Sequence, residues 1–106
     1  MLTLNLSAAE AQVVTAALDC YIRTHLGQPE HALDSALMQI DDLDKLKAIR
    51  TLLQGVQILM TGIPNGGPSI TNPNVPNKAR IARRIQAIII GDESALNLYN
   101  QDGSVR

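Results

Sequence analysis

Lys78, Arg80, Arg83 and Arg84 put four of the chain's nine Lys and Arg within seven residues. They open a stretch of helical period, where the positive end of the helix dipole disfavours cations. An anion held among them would remove that conflict. A helix start offers free amides, and guanidinium groups offer planar forks for phosphate or carboxylate. The other reading is a solvated basic face, with Arg80, Arg83 and Arg84 opposite an apolar stripe of Ile81, Ile85 and Ile88. The segment before these cations, residues 62–77, sharpens the question. Eleven of its sixteen residues are Gly, Pro or Asn, a composition that continues neither a helix nor a central strand. Long loops inside small domains are usually functional or disordered. This one supplies Asn side-chain amides, and Gly66-Gly67 permits close backbone approach to a ligand.

Other chemistry is thinly represented. No HExxH, CxxC, GxSxG or phosphate-loop pattern occurs. His25 and His31 read as ordinary surface or half-buried histidines. Asp41, Asp42 and Asp44 lack the Gly and distal Glu of a calcium loop and read as a helix cap with a solvated face. Cys20 is single, so neither an internal disulfide nor a thiolate zinc site can be built from one chain; its neighbours Leu18 and Ile22 suggest a packed thiol. No cofactor is expected.

Charge and composition bound the partners. Net charge is −1 and the isoelectric point is near 6.0, so the chain lacks the positive field of a non-specific nucleic-acid binder. No apolar run approaches the roughly 18 residues of a membrane span, and the N-terminus does not read as a signal peptide. A soluble, cytoplasmic protein without a membrane partner is expected. The 106 residues fit a single domain spanning 1–106. Its core must be aliphatic, because Tyr21 and Tyr99 are the only aromatic residues.

The elements that must position these groups follow from periodicity. Residues 2–6 alternate apolar and polar, the period of a half-buried strand. Ser7 and Glu10 form a capping-box signature for a helix running to about Leu26, with Gly27 as its stop and Pro29 as the next start. From Ala36 to Met60 apolar residues recur every three and four positions, giving a long amphipathic helix with a possible break near 41. Part of that stripe is expected to face another subunit. After the loop, a third helix covers roughly 78–90 and ends at Gly91. Residues 97–106 read as a short strand, a turn and a fraying end. The fold class expected is α+β, mostly helical, with short terminal strands.

Several of these stretches are similar to a group of small phage proteins. They are Ala17-Leu-Asp-Cys-Tyr21-Ile-Arg23, Leu26-Gly-Gln28, Ser69-Ile-Thr-Asn72-Pro-Asn-Val-Pro76 and Ala79-Arg-Ile-Ala82. The chain resembles the Thoeris anti-defence proteins of the first described type. That resemblance implies a non-catalytic, dimer-based sponge that sequesters cyclic ADP-ribose isomers, and in some members cyclic oligonucleotides, at subunit interfaces. Carried onto this chain, it implies ligand contacts at Tyr21, Arg23, Ser69, Asn72, Arg80, Arg83 and Arg84. Ile70 and Arg83 stand where relatives tend to carry aromatic residues, so arginine planes would replace rings in stacking on a base.

Two functions from different classes follow. One is the sequestration of a cyclic nucleotide immune signal by a homo-oligomer. The other is a small regulator that binds a protein partner, or less favourably DNA, through helix 78–90. An enzyme ranks third.

Overall fold

The computed structural model describes residues 5–62 and 69–106. Ser7 starts the first helix, α1 (Ala8–His25). Its hydroxyl accepts the Glu10 amide at 3.1 Å, while its own amide donates to the Glu10 carboxylate at 2.9 Å. This is the reciprocal cap that the sequence announces. Gly27 breaks away at φ 70°, and a Cβ there would lie 2.8 Å from the Thr61 methyl. Only glycine combines the left-handed turn with that approach.

Pro29 opens α2 (Pro29–Ala32), and α3 (Asp34–Leu37) follows at once. The long amphipathic stretch is therefore broken. Asp42 accepts the amides of Asp44 and Lys45 at 3.0 and 3.1 Å and starts α4 (Leu43–Thr61) afresh. Gly62 ends it in the left-handed conformation. The third expected helix is α5 (Asn77–Ile90), stopped by Gly91. Asn77 is its first residue, with Pro76 at the cap position.

A further short helix, α6 (Glu93–Leu98), is capped by Asp92. It stands where the sequence reading has no helix. The expected C-terminal strand is reduced to one antiparallel bridge between Tyr99 and Val105. Four residues of the expected N-terminal strand region, 1–4, lie outside the described residues, and Asn5 and Leu6 are not in a strand. Among the described residues the fold is helical, without a sheet. The α+β assignment is corrected accordingly for the described residues: a single bridge between Tyr99 and Val105 does not make a strand ladder.

The core lies where α1 crosses α5. Ile22 and Leu26 meet Val75, Ala79 and Ala82, with Leu18 and Ile70 packed against them. The side of α5 that is buried is its alanine side, because small residues let the two backbones approach. Gln86 then donates to the Thr15 carbonyl of α1 at 3.1 Å. Of the isoleucine stripe expected to be buried, Ile81 and Ile89 are half-buried, while Ile85 and Ile88 are exposed, Ile88 at 62%; Ile90 is exposed as well.

Helix α4 leans on α2 alone among the larger packings. Arg50 pairs with Glu30 at 3.1 Å and Asp34 at 3.6 Å, and the end of α4 touches Gly27. Its opposite face carries Leu52, Val56 and Leu59 into solvent, Leu59 at 88%. The molecule is a slab of 47 × 34 × 19 Å with a radius of gyration of 15.5 Å, above the roughly 13 Å of a compact chain this long.

Candidate functional site

The arginines of α5 do not form a common anion site. Arg80 is buried, 3% exposed. Its Nη1 donates to the carbonyls of Ile70 at 2.8 Å and Asn72 at 3.3 Å. Its Nη2 donates to the Val75 carbonyl at 3.1 Å and to Asn77 Oδ1, and its Nε donates to the Gly103 carbonyl. A guanidinium has five N–H donors, and these five acceptors engage them all. Arg83 Nη2 meets Asp92 Oδ2 at 2.6 Å, and its Nη1 reaches Gln86 Oε1 at 3.3 Å. Arg84 Nη1 donates to the carbonyls of Leu96 and Tyr99 at 3.0 and 2.7 Å. Here the expectation of one basic face open to a ligand is corrected. Cations near the start of α5 are tolerated because the protein's own carbonyls and Asp92 surround them, so the local conflict with the helix dipole is answered from within the fold.

The remaining candidates fall on two sides of α1. Asn72 lines a cleft of about 450 Å³ between the end of α1, the end of α4 and the 69–76 segment, together with His25, Leu26, Gly27, Met60, Thr61, Asn74 and Val75. The Asn72 Oδ1 accepts the Asn74 amide at 2.9 Å, so its Nδ2 is the donor left to it. Ser69 supports the same turn: its carbonyl accepts the Asn72 amide at 2.9 Å, and its hydroxyl lies 2.9 Å from that of Thr71. Gly66 and Gly67 lie outside the described residues.

Tyr21 does not enter the core. It is 39% exposed and lines an apolar groove with Leu18, Lys78, Ile81 and Ile85. Its ring packs against that of His25, tilted by 36° with centroids 4.2 Å apart. His25 Nδ1 lies 2.9 Å from the Tyr21 carbonyl. A carbonyl can only accept, so that nitrogen carries a proton. His25, read from the sequence as ordinary, therefore joins Tyr21 to the Asn72 cleft. The signal for it was its spacing of four from Tyr21, which sets two residues on one helix face.

Arg23 faces away from that cleft. It lines a second hollow of about 530 Å³ beside Asp19, Cys20, His31 and Asp34, pairs with Asp19 at 3.6 Å and donates to Gln28 at 2.9 Å. Cys20, expected to be packed, is exposed. Among the described residues no group of three or more His, Cys, Asp or Glu could hold a metal ion, and no helix is long and apolar enough to cross a membrane. Comparison of the chain with protein-family models, curated protein sequences and solved structures returns no match.

Proposed function

We propose that this chain is a non-catalytic binding protein that sequesters a cyclic nucleotide immune signal, a cyclic ADP-ribose isomer or a cyclic oligonucleotide, and so blocks bacterial anti-phage defence. It works in the cytoplasm of the infected host as a homo-oligomer. The observation that carries this reading is the Asn72 cleft. Leu26, Met60 and Val75 supply apolar surface for a base, while Asn72, Asn74 and His25 supply amide and imidazole groups for base edges and ribose. Its volume falls in the usual range of small-molecule sites. The resemblance of the segments around Tyr21, Asn72 and Ala79 to the phage sponges points the same way. Phosphate is met by Arg23 from a second copy, since within one chain Arg23 lies on the other side of α1. The mechanism is mass action: a tight binder in excess lowers free signal below what the effector needs.

The outward faces of α4 and α5 support assembly. They also support the second reading, a regulator that docks on a protein partner through helix 78–90. Ile85, Ile88 and Ile90 favour it, because such exposed apolar residues mark contact surfaces when they are contiguous. In that case the contact is apolar rather than basic.

The test is direct. The protein is purified from infected cells and denatured, and the released material is examined by mass spectrometry. Calorimetry follows against cyclic ADP-ribose isomers and cyclic di- and trinucleotides. A released or titrated cyclic nucleotide is the expected result; none in either measurement leaves the protein-partner reading in front.

A further inference from the structure

The tail after α6 is not a fraying end. Tyr99 is buried and bridges to Val105. The Asn100 amide donates to the Ser104 carbonyl at 2.8 Å, and the Arg106 amide donates to the Leu98 carbonyl at 3.0 Å. Asp102 Oδ1 closes the turn by accepting the Ser104 amide at 2.9 Å and its hydroxyl at 2.6 Å. At the tip, Gly103 is buried at φ 85°. A Cβ at that position would collide with the Asn77 carbonyl and press on Ile81. The tail is thus seated against the first turn of α5.

One side chain ties this turn to the cleft. Arg80 holds the Gly103 carbonyl with Nε and the carbonyls of Ile70, Asn72 and Val75 with its two terminal nitrogens. Three of those acceptors belong to the segment that carries Asn72, and one belongs to the tail. No described ion pair involves Arg80, so carbonyl dipoles alone balance its buried charge. A buried cation held by carbonyls must keep its acceptors, because each one lost leaves a desolvated donor.

We propose that Arg80 is a positioning residue that makes the C-terminal turn at Gly103 and the Asn72 segment one cooperative unit, so that the tail sets the shape of the ligand cleft. The consequence for ligand binding rests on the function proposed above; the coupling itself does not. Linkage makes the coupling reciprocal: whatever orders one segment protects the other. Lysine at position 80 would not replace it, since three donors on a single nitrogen cannot reach five acceptors in a plane.

The experiment is amide hydrogen exchange, read residue by residue by NMR on the full chain. Gly103→Ala displaces the tail and substitutes neither Arg80 nor any residue of the Asn72 segment. The amides of Asn72 and Val75, which donate to Ser69 and to Asn72, should then exchange about tenfold faster or more, while Ile22 and its neighbours in α1 keep their protection. Asp102→Ala loosens the turn from its exposed side and should act in the same direction to a smaller extent, which covers the case in which Gly103→Ala fails to fold. Faster exchange at Asn100 and Arg106 with Asn72 and Val75 unchanged, in either variant, overturns the proposal. Calorimetry with cyclic ADP-ribose separates the two claims. Gly103→Ala should bind it about tenfold more weakly than wild type. A wild-type chain that binds none of the cyclic ADP-ribose isomers or cyclic di- and trinucleotides removes the ligand reading and leaves the exchange result standing.

Discussion

Arg83 reaches Asp92 across the end of α5, with Nη2 2.6 Å from Oδ2, and the same Asp92 caps α6 through the Ser94 amide at 3.2 Å. One carboxylate therefore fixes the angle between the two helices. Hydrogen bonding from Ser94, and then from Arg83, holds its pKa below the ordinary value of 3.8.

A pH dependence follows with a definite sign. A carboxylate with a depressed folded pKa stabilises the fold above its unfolded pKa and loses that contribution as pH falls through the folded value. Asp102, held down by Ser104, and Glu10, held down by Ser7, act in the same direction. The melting temperature should be level with pH above the ordinary carboxylate range and fall below it. Asp92→Asn should cost stability at pH 7 and little at pH 2.5, which thermal unfolding followed by circular dichroism at the two pH values will show. An equal loss at both pH values would mean that the charge on Asp92 is irrelevant.

Arg80→Ala should destabilise the chain rather than merely weaken ligand binding. It strips five acceptors of their donor around a buried site. A buried polar group left unsatisfied costs about 1–3 kcal/mol. Even with water replacing part of the cage, a loss of about 3 kcal/mol is expected, a large share of the roughly 5–15 kcal/mol of a typical domain. Urea unfolding measures it, and a loss within about 0.5 kcal/mol of wild type would show that the cage contributes nothing.

For Asn72→Ala the expected phenotype is the reverse: a folded protein with weaker binding. A hydrogen bond to a neutral base edge or ribose is worth roughly 0.5–1.5 kcal/mol, up to about one decade of affinity. Part of the loss will come from the Asn74 amide, which donates to the same side chain. Arg23→Ala should weaken binding more at low salt than at high, because its contacts are solvent-exposed and screened. Unchanged calorimetric affinity in both variants would remove them from the site.

Assembly is expected through the outward face of α4. Leu52 and Leu59 are 70% and 88% exposed, so Leu52→Asp with Leu59→Asp should leave the single chain folded and separate the copies. Light scattering at micromolar concentration should find an oligomer for wild type and a monomer for the variant. A monomeric wild type would disprove the assembly and, with it, an Arg23 supplied by a second copy.

Candidate cyclic nucleotides should also emerge intact from incubation with the protein. Chromatography over time that reveals a linear product would place the chain among the enzymes.

Local signals in the sequence were sufficient for α1 and for the end of α5. Ser7 with Glu10, Gly27, Pro29 and Gly91 act on their nearest neighbours, and nearest neighbours are what a sequence displays. The break before α4 was legible from Asp41 and Asp42 for the same reason. Helix α6 was not, although Asp92 followed by Glu93 and Ser94 is a cap signature; its six residues are too few to show a period. The arginines of α5 were misread because periodicity assigns faces by polarity. Arg80 is buried beside Ala79 and Ala82, and its burial depends on backbone acceptors in two separate segments, 70–75 and Gly103, which periodicity does not reveal. His25 escaped notice because a cleft is a property of three segments brought together.

Helix α4 is held at two points on one side. Arg50 meets Glu30, and Thr61, eleven positions later, meets Gly27. Eleven residues make just over three whole turns at about 3.6 per turn, which is why both holds fall on one face. Adding or deleting a single residue between them would swing one hold about 100° away from its partner. Variation in the length of this helix is thus rationed to near-integral turns, three or four residues at a time. Insertions of one or two would instead pull one of the two holds off its partner.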